Sequence, residues 1–107
     1  MLKIYPVVLQ FISELKPLLR EVERRDRDLG RQLRRAASSV ALNLAEGMYS
    51  QGALRIARYH TALGSAREAH ACIEVAQAFG YLGSVDAVVL DHCDHIVGTL
   101  VRLVGAG

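Results

Sequence analysis

The chain has little proline, two residues in 107, and only two cysteines, Cys72 and Cys93. Scarce proline together with 51% hydrophobic residues excludes a disordered chain and suits a compact, mostly helical one. Two cysteines build no disulfide framework, and neither a Cys-x-x-Cys nor a zinc-binding spacing is present, so a reduced, cytoplasmic setting is expected. No apolar run approaches the ~20 residues that a membrane-spanning helix needs. The opening MLKIYPVVLQFISELK is interrupted by Gln10 and Glu14 and followed by no small-residue cleavage site, so it reads as helix rather than as a leader. Nucleophile elbow, phosphate loop and metalloprotease helix are all missing, and Glu46, Glu68 and the histidines fall at no recognisable acid–base spacing. No catalytic residue and no cofactor is expected.

What is present is apolar periodicity. At this length one domain, residues 1–107, is expected. Ile4, Val8, Phe11, Leu15, Leu18 and Val22 recur at spacings of four and three and predict a helix over 4–25, which Pro17 should bend or split. Asp26 or Asp28 should cap a second helix with the stripe Leu29, Leu33, Ala36, Val40, Leu44 and Met48, stopped by a left-handed Gly47. MYSQG then reads as loop, with Ser50 a candidate cap. A third helix, 53–79, carries Tyr59, Leu63, Ala66, Ile73 and Ala76, a stripe small enough for close helix approach. Gly80, Tyr81, Leu82 and Gly83 form a tight turn, and Ser84 should cap a fourth helix facing the core with Val85, Val89, Ile96, Leu100 and Leu103. Short links between long amphipathic helices predict an all-α, antiparallel up-down four-helix bundle. Second apolar stripes lie beside the first on the outer helices (Tyr5, Ile12 and Leu19; Leu90, Val97, Val101 and Val104), and faces this wide predict a homo-oligomer.

Net charge is only +2, but it is unevenly placed. Residues 20–35 hold seven arginines against four acids. Arg27, Arg31 and Arg34 share one helical stripe, with Arg35 beside it, opposite Leu33, Val40 and Leu44. Four guanidiniums on one exposed face suit a phosphate backbone, RNA or DNA. The alternative is a solvated surface tied by local pairs such as Glu21–Arg25 and Glu23–Arg27. No aromatic residue interleaves these arginines, so stacking on bases is not indicated by the sequence.

Two further polar groups stand out from the apolar pattern. DHCDH, 91–95, resembles a ligand cluster, but helical geometry disperses it; His60 and His70 on the third helix are candidate completions that the sequence does not place nearby. Cys93 is expected as a packed apolar residue and His92 as a boundary histidine with one hydrogen-bond partner, with no metal bound. Ser39, Asn43 and Glu46, at i, i+4 and i+7, form a polar strip along the edge of the second helix's apolar stripe and lead into Gly47. A half-buried Asn43 needs partners, for which Arg67, Glu68 and His70 are candidates. The strip reads as a device that fixes helix register.

RQLRRAASSVALNLAEG followed by RYHTALGSAREAHACIEVAQAFGYL resembles the small four-helix bundle proteins encoded in intervening sequences of large-subunit ribosomal RNA genes, a family that includes accessory variability determinant proteins of diversity-generating retroelements. Gln32, Leu33, Arg35, Ala36, Ser39, Asn43, Ala45, Glu46 and Gly47 fill its first motif, and Ala62, Leu63, Gly64, Ser65 and Glu68 its second. The resemblance implies an antiparallel four-helix bundle assembled as a barrel-like homopentamer. For the retroelement members it also implies binding to a reverse transcriptase and to nucleic acid. A protein-only scaffold, assembled through the outer faces of the first and last helices, is the alternative.

Overall fold

A computed structural model describes residues 2–105. They form four helices, α1 (Ile4–Arg25), α2 (Arg27–Met48), α3 (Gly52–Ala78) and α4 (Ala87–Gly105), with no strand among the described residues. α1 packs on α2 and α4, and α3 packs on the same two, which closes an antiparallel bundle measuring 42 × 24 × 19 Å. None of the four helices is long and apolar enough to cross a membrane.

The core follows the 3.6-residue stripes. Val8, Phe11, Leu15 and Val22 of α1, Leu33, Val40 and Leu44 of α2, Ile73 of α3, and Cys93, Ile96 and Leu100 of α4 are all fully buried. α3 meets α2 through Ala62, Ala66, Ala69 and Ala76, and small side chains let the two axes approach, so α2–α3 is the most extensive helix contact in the bundle.

Several boundaries differ from expectation, each for a local reason. α1 runs unbroken through Pro17. Pro17 and Ser13, whose carbonyl loses its intrahelical donor, are both exposed to solvent, so the missing bond leaves no buried polar group. On the same helix Leu19 rather than Leu18 enters the core; Leu18 instead lines a groove with Tyr81 and Val85. Gly47 is not a left-handed stop: α2 continues to Met48, and the positive-φ glycines are Gly52 (φ 56) and Gly80 (φ 77). Ser50 Oγ donates backwards to the Glu46 carbonyl (2.8 Å), and Gln51 precedes α3 without a side-chain cap. Ser84 does not cap α4. Asp86 Oδ1 accepts from Val88 N–H (3.0 Å), so the helix starts later and Val85 packs on the core from the turn.

The α3–α4 turn is a Schellman motif. Gly80 N–H donates to the Gln77 carbonyl and Tyr81 N–H to the Ala76 carbonyl, both at 2.9 Å, and the positive φ this demands falls on Gly80.

Candidate nucleic-acid interface

The basic face begins at the α1–α2 corner. Asp26 is extended (φ −151°, ψ 97°) and its Oδ1 accepts from Leu29 N–H at 3.0 Å, so of the two candidates Asp26 is the cap. The break at Asp26 separates Glu23 from Arg27, and the i, i+4 pair expected between them does not form. Glu23 turns to Arg34 across the α1–α2 contact (2.9 Å). Arg24 and Arg25 occupy the last turn of α1, where cations complement the helix dipole, and both reach Glu21 (2.8 and 3.9 Å). The hydrogen bond and charge of Arg24 hold the Glu21 carboxyl below its usual range.

The four predicted arginines therefore divide. Arg34 is tied to Glu23, whereas Arg27, Arg31 and Arg35 are exposed at i, i+4 and i+8 with no salt bridge to any described residue. Exposed ion pairs contribute only about 0–1 kcal/mol, so Arg34 is easily released, but the three unpaired guanidiniums have nothing to give up before meeting an anion.

The polar strip of α2 faces α3. Asn43 Nδ2 donates to the Ser39 carbonyl (2.9 Å) and Ser39 Oγ (3.0 Å), and Ser65 Oγ reaches Ser39 Oγ at 2.7 Å. Arg58 contacts Asn43 Oδ1 (3.5 Å) and pairs with Glu46 (3.1 Å). The partners are thus Arg58 and Ser65 rather than Arg67, Glu68 and His70, because the antiparallel register sets Ser39 opposite Ser65. Gly47 completes the strip by lying against the Tyr59 ring. Sequence reading missed Arg58 and also Gly30, where a Cβ would meet the backbone of Glu23; an unexplained glycine inside a helical pattern was the available signal.

DHCDH is dispersed as its wheel positions require. Cys93 is buried, while His92 Nδ1 lies 2.7 Å from Glu14 Oε1 on α1, one hydrogen-bond partner at the core boundary. Among the described residues no three His, Cys, Asp or Glu side chains are grouped to hold a metal ion. Burial pushes the Cys93 thiol up to about 11, and burial, then Glu68, raises Cys72. Both cysteines should resist a thiol-specific reagent in native protein and react once it unfolds, followed spectroscopically with and without denaturant; rapid native labelling would contradict their burial. The neutral Cys93 thiol is favoured in the fold, so its contribution is intact below the ordinary value of 9.0 and is lost as pH rises towards about 11.

Comparison with known proteins agrees with this architecture. Residues 1–102 match the family model described as 23S rRNA-intervening sequence protein. The fold is similar to the crystal structure of a protein of unknown function from the S23 ribosomal protein family of Bacteroides thetaiotaomicron, with a TM-score of 0.81 at 18% identity, covering 94% of this chain and 97% of that one. No curated protein matches the chain.

Proposed function

As the chain belongs to the 23S rRNA-intervening sequence protein family, we propose that it is a non-catalytic bundle that binds nucleic acid, RNA foremost, along Arg27, Arg31 and Arg35. The observation that carries this reading is the row of three exposed, unpaired guanidiniums opposite the buried face of α2. Phosphates bind guanidinium forks bidentately, and counterion release supplies the affinity. Self-assembly would repeat the row in every subunit and raise avidity. It is supported by apolar surface on α1 and α4, where Leu9, Val88 and Val101 are exposed and Ile12, Leu90 and Val97 only partly buried.

The test is fluorescence anisotropy of a labelled RNA across a salt series. Wild type should lose affinity linearly in log–log form, and Arg27→Gln/Arg31→Gln/Arg35→Gln should reduce the slope by about 2, at ~0.7 per single-strand phosphate contact. Wild type that shows no salt-dependent binding sinks the proposal. Light scattering checks assembly, and a monomer at micromolar concentration removes that part. An accessory role beside a reverse transcriptase is the narrower form, drawn from the retroelement resemblance; it requires a reverse transcriptase and a variable repeat encoded next to this gene.

A further inference from the structure

The corner at which the arginine row begins receives an aromatic residue from the end of α3, the helix packed most extensively on α2. The Schellman turn at the end of α3 brings Tyr81 to the α1–α2 corner, where its hydroxyl donates to Asp26 Oδ2 at 3.1 Å. Asp26 stands between Arg25 and Arg27. Phe79 stacks on Tyr81, with ring centroids 5.3 Å apart and an interplanar angle of 19°, yet Phe79 is 66% exposed. A large aromatic side chain is thus held by a stacked neighbour, with much of its surface left to solvent, beside the basic corner. Val75, one turn earlier on α3, is also 40% exposed and extends the apolar surface. The acids nearby are partly committed: Asp26 accepts from Leu29 N–H and from Tyr81, and Glu21 is engaged by Arg24 and Arg25. Asp28 is exposed in the first turn of α2, where the helix dipole favours it.

From this juxtaposition we infer that Phe79 is a stacking platform for an unpaired nucleobase, so that the ligand of the arginine row is single-stranded nucleic acid rather than duplex. The inference rests on the reading of the arginine row given above. An aromatic face held beside guanidiniums is how single strands are bound without base-pair readout: the cations follow the phosphates and the ring receives a base. A duplex keeps its base faces against one another and offers the platform nothing. Stacking accepts ribose and deoxyribose strands alike, so RNA and DNA of one sequence belong in the same test. Tyr81 acts as a positioning residue, since its hydroxyl anchor and its ring fix the Phe79 ring from behind.

The chain contains no tryptophan, so Phe79→Trp creates a single fluorescent reporter. An unstructured single strand of about 12 nucleotides should quench it on binding, RNA or DNA, while the same sequence as duplex leaves it bright. Tyr49→Trp, 90% exposed at the other end of α2, is the positional control and should change little. Phe79→Ala should weaken single-strand affinity about 10- to 100-fold with the wild-type salt slope retained and duplex affinity unchanged, and Phe79→Tyr should restore it. Because Phe79 is mostly exposed, its variants should melt close to wild type. If Phe79→Ala binds single strands as wild type does while Arg27→Gln/Arg31→Gln/Arg35→Gln fails, the platform is wrong and the arginine reading stands. If wild type binds neither form with a salt slope, the arginine reading fails and takes the platform with it. A Phe79→Ala variant that changes oligomeric state but not RNA affinity makes this a protein contact and overturns the inference.

Discussion

Gly47→Ala should destabilise the bundle by about 1–3 kcal/mol, seen as a loss of roughly 5–15 °C in melting temperature. Alanine is ordinarily the better helix residue, by about 1 kcal/mol, and Gly47 has no left-handed φ to protect. The cost is steric. A Cβ there would lie 2.4 and 2.8 Å from Cε1 and Cδ1 of Tyr59 and 3.3 Å from Arg58 Cβ. Tyr59 is only 4% exposed, so its ring cannot swing aside without reopening the α2–α3 contact. Gly30→Ala should behave alike, since its Cβ would meet Glu23 Cα at 3.0 Å and N at 3.1 Å, atoms fixed in the backbone of α1. Gly64→Ala is the control of opposite sign. Nothing lies within 4 Å of the added methyl, so ordinary helix propensity should act and stability should rise by about 0.5–1 kcal/mol. Circular-dichroism melts of the three variants decide the matter, and a neutral Gly47→Ala would refute the packing account.

Asp26→Ala should be the second large loss, about 0.5–2 kcal/mol from the helix cap alone. The same carboxylate serves two elements: Oδ1 caps α2 and Oδ2 receives Tyr81 from the α3–α4 turn. Asp26→Asn keeps a cap acceptor and should cost less. Tyr81→Phe removes only the tie between the corners and should cost less than Asp26→Ala. A double-mutant cycle in urea, Asp26→Ala with Tyr81→Phe, should show coupling between the two, and strict additivity would mean that the 3.1 Å contact contributes nothing. Burial, then the hydrogen bond and charge of Asp26, raises the Tyr81 hydroxyl above its usual 10. The neutral phenol is thus favoured in the fold, so this tie is intact below pH 10 and weakens as pH rises beyond it, a dependence that Tyr81→Phe should abolish.

These sites differ in how far the sequence could reveal them. The four helices and most of the core were legible because apolar periodicity is a local property: Val8, Phe11 and Leu15, or Leu33, Val40 and Leu44, bury the face that their spacing defines. Caps were legible only where chemistry and position coincided. Asp26 is a good cap residue at a real break, whereas Ser50 and Ser84 are good cap residues at places where the helix starts a little later. The polar strip could be recognised on α2, but not its partners, because Ser65 and Arg58 lie 26 and 15 residues further along the chain.

Gly47 shows the limit most clearly. Its residue type is consistent with a left-handed stop or with a close packing contact, and no local pattern separates the two; the Tyr59 ring does. The arginine row followed from spacing, yet which of its members stay unpaired depended on Glu23 facing Arg34 across the α1–α2 contact. The sequence places no aromatic residue among the arginines; the bundle brings Tyr81, 55 residues from Asp26, onto the same corner with Phe79 stacked on it. Helix positions and the basic character of α2 were therefore written in local order, where 3.6-residue geometry acts on neighbours. Partners across helices, and the aromatic surface beside the arginines, exist only once four amphipathic faces have closed on one core.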